Sequence, residues 1–138
     1  KRQALGVKHK IIIRTLSKNA KIIIGNNVRV SGTTICASQN VTIGDRCVIG
    51  ADVIIADTDF HSADYNTRSS KNDFKDAKTS PVIINDDVFI GANSIILKGV
   101  SIGSNSIIGA GSVVTKSFPK NSILAGNPAV LIKTMNSS

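Results

Sequence analysis

The chain has 138 residues, 4% of them aromatic, with 17 Lys and Arg against nine Asp, no Glu and a formal net charge of +8. That length makes one domain. No apolar run approaches the roughly 18 residues of a membrane span, and no signal-peptide layout is visible. So few large side chains exclude a conventional aromatic-centred core, but not one of stacked Ile and Val.

The whole excess charge lies at the start. Lys1, Arg2, Lys8, Lys10, Arg14, Lys18, Lys21 and Arg29 occur with no acid among them, and the remaining bases balance the nine Asp. A nucleic-acid partner is not expected, because no aromatic residue is interleaved for base stacking. A charged end coil discourages edge-to-edge association. The same charge could instead attract an acidic glycan or a membrane face, and any membrane contact is assigned to this basic segment alone. His9 lies here and reads as a surface residue. The first residue is not Met, so the native start is left open. KHKIIIRTLSKNAKIII blurs the pattern that follows, and residues 1–23 read as one degenerate first coil, as terminal repeats often are.

From Ile24 the chain counts in sixes. Ile24, Val30 and Cys36 are one set, then Ile43, Ile49 and Ile55, with one extra residue between the sets that fits a bulge at a corner. Residues 24–55 are therefore assigned to coils. Cys36 falls on the inward aliphatic position and Cys47 on the small position. Both read as buried free thiols acting as small hydrophobes, which suits a reducing cytoplasm.

The count breaks once, over residues 56–81. ADTDFHSADYNTRSSKNDFKDAKTSP is polar, carries five Asp and holds His61. A loop this long inside a compact domain is usually functional, so His61, at the root of the only excursion, is the candidate catalytic side chain.

The count resumes at 82–117. In INDDVFIGANSIILKGVSIGSNSIIGAGSVVTK, Ile84, Ile90, Ile96, Ile102, Ile108 and Val114 are six apart, and Val88, Ser94, Val100, Ser106 and Ser112 fill a small or β-branched position. A helix would ask for apolar residues at three and four, a strand for alternation. A fixed short period is instead the mark of a stacked β-solenoid. Each hexad supplies one short strand and a corner, and three hexads complete an 18-residue coil. Ile84 should then stack on Ile102, Ile90 on Ile108 and Ile96 on Val114. Residues 118–138 form a tail.

DTDFH before a loop, then VIINDDVFIGANSIILKGVSIGSNSIIGAGSVVTK, then AGNPA, resemble the hexapeptide-repeat acyltransferases. The branch they resemble is the sugar O-acetyltransferases, which includes the maltose, galactoside, and capsule or lipopolysaccharide enzymes. The resemblance covers almost everything from Ile24 onward. It implies an all-β fold, a left-handed parallel β-helix shaped as a triangular prism, with the loop at about 56–81 extruded. It also implies a cytoplasmic homotrimer with each active site between two prisms. The implied activity is acetyl transfer from acetyl-CoA, without a metal, to a hydroxyl of a sugar or glycan, a surface polysaccharide precursor being the natural acceptor.

Under that resemblance His61 is the general base. A sugar hydroxyl is a poor nucleophile until its proton is removed, and an imidazole titrating near ~6.5 can remove it at neutral pH. The backbone N–H of Ala92 is the oxyanion donor. A backbone carbonyl usually orients the histidine in the family; Asp59 or Asp64 could serve instead, or could hold the acceptor with Asn85. Ala92, Ala110, Thr115, Lys116, Pro128 and Lys133 are the implied coenzyme contacts. Val130 stands where relatives often carry Arg, so Lys133 is asked to carry part of the phosphate grip. The N-terminal helical segment of the galactoside and maltose enzymes has no counterpart in this sequence. Their acceptor-binding Asn and Asp near Gly32 and 37–38 are also missing, which argues against those two sugars. An N-acetyltransferase for an amino sugar or nucleotide-amino sugar, or an antibiotic acetyltransferase, stays open. A γ-class carbonic anhydrase needs three histidine ligands, and this chain has two His.

Overall fold

A computed structural model describes residues 11–136, so the expectations for Lys1, Arg2, Lys8, His9 and Lys10 fall outside the described residues. The chain winds as a left-handed parallel β-helix. β1 (Ile12–Thr15), β2 (Lys21–Ile24) and β3 (Arg29–Val30) make the first coil. β4 (Thr34–Ala37), β5 (Asn40–Ile43) and β6 (Val48–Ile49) make the second. The third holds β7 (Ile54–Ala56), the one-turn helices α1 (Tyr65–Arg68) and α2 (Asp73–Asp76), β8 (Val82–Ile84) and β9 (Phe89–Ile90). β10 (Ile95–Ile96), β11 (Ser101–Ile102) and β12 (Ile107–Ile108) follow, then β13 (Val113–Val114), β14 (Ser122–Gly126) and β15 (Ala129–Thr134).

Three sheets form the faces. The first face stacks β1, β4, β7, β10 and β13; the second stacks β2, β5, β8 and β11; the third stacks β3, β6, β9, β12 and β14. β15 folds back antiparallel on β14. Strands can be two residues long because each needs only one inward side chain before the corner. The inward columns are Ile35–Ile55–Ile96–Val114, Ile43–Ile84–Ile102 and Ile49–Ile90–Ile108–Leu124, as the registers require. Every one of these side chains is buried, and each contributes about 1.5–3 kcal/mol. The three stacked pairs read from the sequence all hold.

The serine position of the hexad has its own logic. Ser94, Ser106, Ser112 and Ser122 are fully buried, so each hydroxyl must find a partner. Ser112 Oγ donates to the Gly109 carbonyl at 2.6 Å, and Ser122 Oγ to the Pro119 carbonyl at 2.6 Å. The next coil's N–H closes the ladder: Ser122 N donates to Ser106 Oγ at 3.1 Å.

The reading of Cys36 is corrected. Ile35 takes the inward column opposite Ile55, and Cys36 pairs with Ala56, which turns its side chain to the sheet's other face. The count there runs five and then eight, rather than six and then seven. Gly32, at φ 64°, and the fully buried Thr33 turn the corner one residue early. The surplus lengthens β4 to four residues, with Ala37 buried two places after Ile35. Both cysteines are nevertheless buried and free, and burial is the main cause pushing both thiols up.

The excursion over 56–81 leaves between the first and second faces. Thr58 and Thr79 close its neck with an antiparallel bridge.

Candidate active site

The loop is anchored by a buried carboxylate. Asp57 is fully buried, and its oxygens accept the N–H groups of Ser38, Gln39 and Asn40 at 2.6, 2.7 and 2.8 Å. These residues span the short connection from β4 to β5, beside the point where the third coil leaves the prism. That corner is thus held by the first acid of the loop.

Beyond it the backbone is strained. Phe60 sits at φ 66°, where a bulky side chain is an outlier. The other non-glycine positive-φ residues are Asn27, Arg46, Asp52, Asp87, Asn93, Asn105 and Asn121, mostly Asn and Asp, which tolerate that region at corners. Phe60 has no such excuse, and strain of this kind tends to persist at functional sites. The next residue is His61.

The His61 side chain is 68% exposed, so packing does not orient it. Its Nδ1 lies 2.6 Å from Asp73 Oδ2. The other oxygen of Asp73 accepts the Ser62 N–H at 2.7 Å. Ser62 is buried; its hydroxyl donates to Asp76 Oδ2 at 2.5 Å and its carbonyl accepts from Arg68 at 3.0 Å. The His61 hydrogen bond, then the Ser62 N–H, hold the Asp73 carboxyl below the usual carboxylate range. An ionised Asp73 accepts from Nδ1–H, which leaves Nε2 as the open, basic nitrogen.

Neither acid expected to orient the histidine does so. Asp59 pairs with Lys98 at 2.9 Å, tying the loop to the next coil. Asp64 caps α1, accepting from the Thr67 hydroxyl at 2.7 Å and the Thr67 N–H at 2.9 Å, and those bonds lower its pKa. The partner is a carboxylate rather than a backbone carbonyl. Asp73 was missed because contact across twelve residues of aperiodic loop leaves no spacing signal; the acidic pair in DFKD was the only visible hint.

The other candidates fall on different edges of the prism. Ala92 and Ala110 lie where the third face turns into the first, and the β14–β15 turn brings Pro128 to that same edge. Neither alanine donates its N–H to an acceptor among the described residues. A Cβ on Gly91 would lie 2.6 Å from the Ala110 N, and one on Gly50 2.7 Å from the Ala92 N, so these coils approach as closely as glycine permits. Thr115 and Lys116 follow β13 on the edge from which the loop leaves, with Lys116 Nζ 5.7 Å from the Phe118 ring centre. Lys133 is exposed on β15, opposite Ile123. Asn85 sits on the remaining edge, and its amide donates to the Ile102 carbonyl at 2.7 Å. One chain therefore gathers Ala92, Ala110 and Pro128 on one edge and His61 on another, with the first face between them.

A family model described as hexapeptide repeat of succinyl-transferase matches residues 40–56 and 81–116. The chain is 36% identical over 121 residues to galactoside O-acetyltransferase of Escherichia coli strain K12, covering 87% of this chain and 57% of that protein. It thus spans little more than half the length of this relative. Among solved structures, a hexapeptide-repeat acetyltransferase of Vibrio cholerae complexed with acetyl-coenzyme A superposes with TM-score 0.77 at 28% identity, covering 94% of this chain and 70% of that one. A maltose O-acetyltransferase from Clostridium difficile 630 does so with TM-score 0.73 at 32% identity, covering 93% and 68%. With these stacked coils, the extruded histidine loop and those matches, the chain belongs to the hexapeptide-repeat acyltransferase family.

Proposed function

We propose that this chain is an acetyl-CoA-dependent O-acetyltransferase acting on a hydroxyl of a sugar or glycan, with His61 as general base. The observation that carries it is the exposed imidazole whose Nδ1 is held by Asp73, leaving Nε2 open. Nε2 takes the proton of the acceptor hydroxyl as its oxygen attacks the thioester carbonyl carbon. The oxyanion so formed is stabilised by the rigid N–H of Ala92. Collapse breaks the carbon–sulfur bond, and the imidazolium returns its proton to the departing thiolate.

Acetyl-CoA is assigned to the edge of Ala92, Ala110 and Pro128, with Thr115, Lys116 and Lys133 reaching it from the adjoining prism or hairpin. Small side chains there let a slender pantetheine arm reach the backbone. Because His61 and Ala92 lie on different edges, their meeting requires two prisms, which supports a closed homotrimer. Light scattering should give three times the chain mass at micromolar concentration; a monomer mass would remove the shared site. The two buried free thiols fit a reducing cytoplasm.

The test is thiol release from acetyl-CoA across sugars, amino sugars and nucleotide sugars. Release with a hydroxyl acceptor, abolished in His61→Ala, is expected. Release only with amine acceptors would replace O-transfer with N-transfer.

A further inference from the structure

We infer that Asp73 is a positioning residue: it fixes the His61 imidazole as the Nδ1–H tautomer and holds Nε2 toward the acceptor. The inference rests on the reading of His61 as the base and names what makes it one. His61 side-chain exposure of 68% removes packing as an explanation of its orientation. Asp73 is the only side chain bonded to the ring among the described residues, and one carboxylate grips two consecutive residues, His61 Nδ1 at 2.6 Å and Ser62 N at 2.7 Å. That double grip fixes both where the ring starts and which way it turns. Asp76, on the same helical turn, takes the Ser62 hydroxyl, so α2 serves as a strap across the strained backbone at Phe60.

The charge balance follows. When Nε2 accepts the acceptor's proton the ring becomes cationic, and the Asp73 carboxylate, which stays ionised, faces that charge at hydrogen-bond distance. Four other charged groups of the loop are engaged elsewhere: Asp76 with Ser62, Arg68 with the Ser62 carbonyl, Asp64 with Thr67, and Asp59 with Lys98. Asp73→Asn leaves these four in place.

The experiment is nitrogen-15 NMR of the imidazoles at a pH where the rings are neutral, beside steady-state kinetics. The chain has two His, so His61→Gln assigns the signal. In the wild type His61 should be protonated at Nδ1. In Asp73→Asn that preference should weaken, because the carboxylate that accepts from Nδ1–H is gone. The kcat should fall at least about tenfold, short of the roughly 10²–10⁴-fold expected for removing the base. The KM for acetyl-CoA should hold. Asp73→Glu should restore part of the tautomer preference and of kcat. Asp76→Asn loosens the same turn without touching the ring and should leave the His61 tautomer in place. An unchanged tautomer in Asp73→Asn overturns the inference, as does an equal change in Asp76→Asn. The NMR needs no turnover, so this failure is distinct from that of His61 as the base, which a fully active His61→Ala would show.

Discussion

Gly111 donates its N–H to the Ala92 carbonyl at 2.8 Å, which stacks Ala110 against Ala92 on adjacent coils of one edge. Ala110 is exposed and its N–H has no acceptor among the described residues, so the edge offers a bare strip of backbone. Ala110→Trp should cover it. Acetyl-CoA KM should rise more than tenfold, by the rough measure of one lost close contact, while the thermal midpoint and the His61 loop stay as they are. An unchanged KM would move the coenzyme to another edge.

His61→Ala should lower kcat by roughly 10²–10⁴-fold, the usual contribution of a general base. The fold should survive, since the loop adds no side chain to the Ile and Val columns. Activity above about a third of wild type, far from that range, would exclude His61 as the base.

Asp57→Ala should be costly for a different reason. It leaves the N–H groups of 38–40 without their buried acceptor. A destabilisation of about 3 kcal/mol or more is expected from hydrogen bonds to a charged group, measured by denaturant unfolding. Asp57→Asn, which keeps one carbonyl acceptor, should lose less. A neutral Asp57→Ala would mean that water replaces the carboxylate at that corner.

Acid should loosen the loop once its depressed carboxylates are protonated. The folded-state pKa values of Asp64 and Asp73 are depressed, by Thr67 and by His61 respectively. Unfolded, each carboxyl titrates near ~3.9, so each contributes stability that is complete above that value and lost as pH falls through the lower folded value. Amide exchange at Ser62 should therefore stay slow from neutral pH to about 4 and quicken below it. In Asp73→Asn it should be fast throughout. Equal exchange in both proteins at neutral pH would show that the Asp73 carboxylate does not hold the loop.

The fold was legible where a local rule repeats. From Ile84 to Val114 every inward side chain meets its own kind one coil away, so period and contact are the same fact, and one strand of sequence reports the whole stack. The loop was legible as a break in that rule, and His61 as the imidazole at its root. Where the chain departs from the period, sequence lost the register: Cys36 took a column that belongs to Ile35 because the turn at Gly32 comes one residue early.

The site depended on contacts that no period records. Asp57 reaching the corner at 38–40, and Asp73 reaching His61 in place of Asp59 or Asp64, are meetings of irregular segments. Their partners are chosen by how the loop closes in space, and five acids in one loop look alike until it does. The sequence by itself determined the coils, the edge carrying Ala92 and Ala110, and the histidine. Only the tertiary structure decided which carboxylate faces that histidine, because a hydrogen bond selects for distance and direction, and neither is written in the order of residues.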